Sequence, residues 1–210
     1  MSRRGTHSGR GLEFGTEELR DLLIAWVVLS LAFAVFFAGG GRRFLLSDPL
    51  GLFGASLLSA GVAFLLHELA HKVVAVRFGQ VAAFRADYGM LFLALMSAFA
   101  GFIFAAPGAV HHRGRLTPRQ RGLIALAGPV TNLALAAVFL PFALWGGPFV
   151  GLVGVYGVFI NLLLGAFNML PFGPLDGRKV LDWSVVAFTV VFVPSLLLAL
   201  GILFPGSVPI

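Results

Sequence analysis

Six stretches of the chain, at about 22–38, 50–76, 89–106, 122–145, 149–170 and 180–204, are built almost entirely of apolar residues. Each is near the ~17–25 residues a helix needs to cross hydrocarbon, and no other feature constrains the fold as much. The composition agrees. Hydrophobic residues make up 59% and charged residues 11%, with a mean hydropathy of +0.96. A soluble domain carries roughly 25% charged residues. A soluble globular domain, a disordered chain and a nucleic-acid module are therefore excluded, despite a net charge of +6. The basic residues sit in the segments between apolar runs, where a multi-pass membrane protein carries its positive charge. There is no cysteine, so neither a disulfide framework nor a thiolate metal site exists.

Charge counting selects the topology. With the N-terminus cytoplasmic and 89–106 not crossing, Arg3, Arg4, Arg10, Arg20, Lys72, Arg77, Arg85, Arg113, Arg115, Arg119, Arg121, Arg178 and Lys179 lie inside, and only Arg42 and Arg43 outside. A sixth crossing at 89–106 would flip every later loop and erase that bias. The alternation of Phe84-Arg85-Ala86-Asp87-Tyr88 suits a half-exposed strand. The expected fold is thus a mainly α membrane protein of about five transmembrane helices, with a re-entrant or β-hairpin segment at 81–109. Residues 1–210 are expected to form one membrane-embedded unit, with 1–18 a flexible basic N-terminus. It is expected to be multi-pass in the cell membrane, with a cytoplasmic N-terminus.

The second run contains His67-Glu68-Leu69-Ala70-His71, the pattern H-E-x-x-H. On a helix, positions i and i+4 share a face, so two imidazoles can converge on one metal ion. Glu68 beside them is placed to accept a proton from water. Ionisable groups within a span are costly, which favours function over the alternative of two histidines capping a helix end. A catalytic zinc site needs a third protein ligand. Asp176 supplies one from Asn168-Met169-Leu170-Pro171-Phe172-Gly173-Pro174-Leu175-Asp176-Gly177, where the prolines break the helix and leave Asp176 on irregular chain. In the five-span topology Asp176 lies on the same side as His67 and His71. In a six-span chain it would be ~30 Å of hydrocarbon away. Alone, Asp176 would also suit a helix N-cap.

Two amides stand out. Asn132, in Gly128-Pro129-Val130-Thr131-Asn132, either bonds a neighbouring helix or steadies the loop carrying Asp176. Asn168 either contacts substrate and stabilises an oxyanion, or holds its own turn. His111 and His112 are read as a solvated loop pair, with a metal or substrate contact as the lesser alternative.

H-E-x-x-H in one span, G-P-x-x-N in the next and N-x-x-P-x-x-P-L-D-G in the one after resemble the site-2 protease family of intramembrane zinc metalloproteases, over about residues 50–182. The resemblance implies one zinc per chain held by His67, His71 and Asp176, with Glu68 as general base. It implies substrate binding by Asn168 and substrate-presenting strands around 81–109. It further implies regulated intramembrane proteolysis: cleavage of single-span membrane proteins within the lipid bilayer, near its cytoplasmic side, with no nucleic-acid partner. The chain looks like a minimal core without a PDZ or regulatory domain. A metal-binding transporter and a non-proteolytic scaffold are the competing readings.

Overall fold

The computed structural model describes residues 12–104 and 107–203. The chain forms α1 (Thr16–Phe37), α2 (Gly41–Leu46), α3 (Pro49–Ser56), a π-helical turn (Leu57–Gly61), α4 (Val62–Arg77), β1 (Val81–Ala86), α5 (Tyr88–Phe99) and β2 (Gly108–Arg113). It continues through α6 (Pro118–Trp145), α7 (Pro148–Asn168), α8 (Asp176–Trp183) and α9 (Val185–Leu203). The protein is a mainly α, multi-pass membrane protein. Four helical stretches, 16–37, 49–77, 118–145 and 148–168, are long and apolar enough to cross a bilayer, and α9 is a shorter apolar helix.

Local chemistry sets the starts of these helices. Asp48 caps α3 by accepting the Gly51 N–H at 3.0 Å, and Pro49 occupies the first turn, where its missing N–H costs nothing. Thr117 and Gln120 form a reciprocal capping box at α6, again with a proline, Pro118, following. Gly146-Gly147-Pro148 turns the chain directly into α7. The outer faces then carry large exposed apolar side chains such as Leu23, Leu58, Val138, Leu144, Val190 and Leu197, which water would not tolerate and lipid does. Inside, Leu22, Ala25 and Leu29 of α1 pack with Phe64 of α4, Phe84 of β1, and Leu91 and Ala94 of α5. Ala125 of α6, Met169, Val180 of α8 and Val191 of α9 form a second core.

Three expectations change in detail. The segment at 81–109 is strand, helix, strand rather than a plain hairpin. An unbroken apolar run does not distinguish strand from helix by periodicity. Asp87 decides, because its side chain caps α5 by accepting the Met90 N–H at 3.0 Å. At about 1.5 Å per residue α5 falls well short of a crossing. The antiparallel register from Val81↔Arg113 to Ala86↔Gly108 returns the chain to where it left, so the segment does not span, and β2 reaches beyond 109 to include His111 and His112. The last run is divided at Ser184 into the short α8 and the apolar α9. Of the N-terminal stretch 1–18, residues 1–11 lie outside the described residues, while Thr16–Glu18 already belong to α1 and Glu18 is buried.

Candidate metal centre

His67 and His71 lie one turn apart on α4, and both are buried. Their Nε2 atoms are 3.0 Å from each other. Asp176 Oδ2 lies 3.1 Å from His71 Nε2 and 3.6 Å from His67 Nε2. A point equidistant from these three atoms, just off their plane, is roughly 2 Å from each, the usual Zn–N and Zn–O length. Three ligands with an open fourth position make the donor set of a catalytic zinc. The three residues therefore fit a zinc ion by chemistry and by spacing.

The remaining nitrogens are arranged to match. His71 Nδ1 donates to the backbone carbonyl of Ile124 at 2.7 Å, and His67 Nδ1 to Asn132 Oδ1 at 2.6 Å. Each bond leaves Nε2 as the lone-pair atom facing the metal position, the usual outer support for a ligating histidine. Asn132 passes the chain on: its Nδ2 donates to Asn161 Oδ1 at 2.8 Å, and Asn161 Nδ2 donates to the Gly157 carbonyl at 2.8 Å. Both asparagines are fully buried, so this string ties α4, α6 and α7 together through polar groups that could not otherwise be desolvated.

Two glycines are required by close approach. A Cβ on Gly128 would stand 2.5 Å from His71 Nε2 and 2.6 Å from His67 Nε2, so only glycine lets α6 back the two imidazoles. A Cβ on Gly177 would press into the Met169 carbonyl, so only glycine lets α8 start directly against the end of α7. Asp176 thereby becomes the first residue of α8, with Leu175 as its cap, instead of lying on irregular chain. The helix N-terminus favours its negative charge. Burial opposes ionisation of Asp176, but the imidazoles of His71 and His67 and the ammonium of Lys179, 3.2 Å away, outweigh it and hold the carboxyl well below the ordinary range.

The centre opens into a cavity of about 390 Å³ lined by Phe64, His67, Glu68, His71, Gly108, Ala109, Val110, Asn168, Asp176 and others. Glu68 Oε2 is buried and has no hydrogen-bond partner among the described residues. An unpaired buried carboxylate oxygen is costly, which marks it as held for a ligand or for water. Asn168 also lines the cavity; one N–H of its amide donates to the Leu164 carbonyl at 3.0 Å, leaving the other available. Asn132 does not line it. Its place is behind His67, away from the cavity that Asn168 lines, so it holds a histidine rather than the substrate or oxyanion position also expected of it beside Asn168.

The two strand edges differ. Phe84 N–H donates to Glu18 Oε1 at 3.1 Å and Ala86 N–H to Asp21 Oδ2 at 3.3 Å, so carboxylates of α1 occupy the outer edge of β1. Lys72, the residue after His71, donates to both Glu18 oxygens at 2.6 Å. Because Phe84 and Ala86 face α1, their partners Val110 and Gly108 point their backbone groups away from β1. That edge of β2 lies along the cavity, where the Val110 N–H faces the Glu68 carboxyl. His111 and His112 ride on this strand rather than on a loop, and neither joins the metal cluster.

Sequence reasoning missed Asn161, Glu18, Asp21 and the role of Gly128. Asn161 carried the same signal as Asn132, a lone amide in an apolar run. Glu18 and Asp21 were legible as acids at the mouth of a span, but nothing local reveals that they close a strand edge.

Comparison with known proteins places these residues in context. The chain is 39% identical over 185 residues to MJ0611 of Methanocaldococcus jannaschii, a match covering 86% of this chain and 92% of that protein. It is 35% identical to YwhC of Bacillus subtilis, covering 64% of this chain and 70% of the relative. It is also 35% identical to Rip3 of Mycobacterium tuberculosis, over 75% of this chain but only 37% of that longer protein. All three carry the name "putative zinc metalloprotease". No family model and no solved structure matches the chain.

Proposed function

The chain belongs to the site-2 protease family of zinc metalloproteases, and from that premise we propose that it is an intramembrane endopeptidase that cuts single-span membrane proteins near the cytoplasmic end of their spans. The observation that carries this reading is the convergence of His67, His71 and Asp176 beside the unpaired Glu68 Oε2, with the histidines and Glu68 on a helical stretch long enough to cross a bilayer. His67, His71 and Asp176 would hold the zinc, one per chain, which when bound supplies Lewis acidity and an acidified water.

The protein's own groups supply the rest. A substrate helix hides its scissile carbonyls, so it must unwind first. The unwound segment pairs with the outward backbone groups of Gly108 and Val110 on β2, by strand addition. That pairing brings a peptide bond alongside Glu68. Glu68 takes a proton from the attacking water on Oε2 and returns it to the departing amine nitrogen. The spare N–H of Asn168 donates to the carbonyl oxygen as it gains charge. His67 and His71 keep their orientation through Asn132 and the Ile124 carbonyl. The packed layer of Phe33, Ala60, Ala63 and Ile160 closes the apolar side of the site, which favours a one-sided reaction chamber over a transit path.

The test compares the intact chain with Glu68→Gln on co-expressed single-span candidates. The amide cannot accept the proton, so cleavage should fall by about 10²–10⁴-fold. Zinc content should be unchanged, and uncut substrate should accumulate on the variant. An unchanged cleavage rate would remove Glu68 as the base. Absence of cleavage by the intact chain on every candidate would favour a transporter or scaffold.

A further inference from the structure

Three basic side chains rim the cavity without taking part in the chemistry above: His112 of β2, Arg121 of α6 and Lys179 of α8. Each stands one repeat of its element away from a residue already at the centre. His112 follows Val110 by two residues and shares its sheet face. Arg121 precedes Ile124, whose carbonyl holds His71, by one helical turn. Lys179 follows Asp176 by one turn and leans on its second oxygen at 3.2 Å. Arg121 and His112 have no acidic partner among the described residues. Asp176 is engaged with the histidines and Lys179, and Asp182 with Arg178 at 3.3 Å, while Glu68 shares the cavity with its Oε2 unpaired. The crowding is felt at His112, whose imidazole is pushed below its ordinary range by burial and by the charges of Lys179, His111 and Arg121.

We propose that His112, Arg121 and Lys179 form an anion subsite that selects an acidic side chain, Asp or Glu, in the peptide segment bound along β2. The inference rests on the proteolytic reading and adds the substrate's chemistry to it. Glu68 and Asp176 line the same cavity, but Asp176 is committed to the histidines and Lys179, so Arg121 presents a positive charge with no acidic partner among the described residues, and a positive potential within low-dielectric walls draws an anion. Arg121, Lys179 and His112 line that cavity together with Glu68, Gly108 and Val110, so a carboxylate carried on a strand paired there is delivered to two cations and a neutral imidazole N–H. A lipid headgroup at the bilayer surface is not held in register with that edge.

The experiment uses the full chain carrying Glu68→Gln, loaded with zinc in phosphatidylcholine nanodiscs, so that peptide is bound without being consumed. The probes are labelled decapeptides of Ala, Leu and Val with one Glu walked through the central positions, each paired with a twin carrying Gln. At least one Glu peptide should bind about tenfold more tightly than its twin at low salt, with the margin shrinking at high salt. Arg121→Glu on the same background should abolish that preference and favour a Lys twin instead. Should that variant fail to fold, as judged by zinc content, Arg121→Gln combined with Lys179→Gln should show the loss of preference alone. Equal affinities for Glu and Gln at every position, or no binding of either, overturn the proposal. So does a preference that survives both variants. A response to phosphatidylglycerol in the disc, with none to Glu in the peptide, assigns the subsite to lipid and also overturns it. Cleavage of a single-span reporter by the unmutated chain tests the proteolytic reading separately.

Discussion

At the scale of single residues, the site depends on groups that never touch substrate. His67 can offer Nε2 only while Asn132 holds its Nδ1–H, and Asn132 is itself held by Asn161. Removing such outer support typically weakens metal binding about 10–100-fold. Asn132→Leu, which keeps the volume and deletes the acceptor, should therefore lose zinc to a competing chelator at correspondingly lower concentration. Unchanged zinc affinity would reduce Asn132 to helix packing. The pair His67 and His71 was legible because H-E-x-x-H states its geometry within one helical turn. Asn132 was visible as a buried amide, but its partner was not, since His67 is 65 positions away.

At the scale of elements, the sheet has one edge closed and one open. Carboxylates of α1 occupy the N–H groups of β1, which protects that edge as natural proteins protect exposed strands. The outward N–H of Val110, which faces the Glu68 carboxyl, is the group a substrate strand would take over. Val110→Pro removes it while leaving the ladder to β1 intact, because Val110 faces Phe84 in a non-hydrogen-bonded pair. Loss of one such bond costs about 1 kcal/mol, so KM for a peptide substrate should rise by roughly five- to tenfold, and because the same N–H faces Glu68, kcat should fall as well. Ala109→Pro serves as the contrast, since it breaks a ladder bond and should destabilise the sheet itself. Equal kinetics for Val110→Pro and the parent chain would remove strand pairing from the mechanism. The strand at 81–86 could be anticipated from its alternation. The helix inside the segment could not, because continuous apolar residues satisfy both periods and a single capping aspartate settles the matter.

At the scale of the whole molecule, the antiparallel return of β2 onto β1 leaves α4 and α6 joined at one end, and that end is where Asp176 arrives after α7. We propose from the charge distribution that this end faces the cytoplasm. Cysteines placed at Arg115 and Gly147 in this cysteine-free chain should then label from opposite faces of the membrane, Arg115 from the cytoplasmic side. Gly147 tolerates the change, since a Cβ there meets nothing within 4 Å. Labelling of both from one face would contradict the crossing of α6 and the shared site with it.

Read along the chain alone, the residues establish the solvent, the number of crossings to within one, and the placing of His67 and His71 on one helix face. These depend on hydropathy, charge bias and spacing within a turn, all local quantities summed along the chain. Tertiary packing alone sets which nitrogen of each histidine faces the metal position, which strand edge lies along the cavity, and which basic side chains gather there. Those outcomes depend on pairs such as His67 with Asn132, Glu18 with Phe84, and His112 with Arg121 and Lys179. Their members lie far apart in the chain, and their meeting is set by how the helices pack rather than by any residue's own preference.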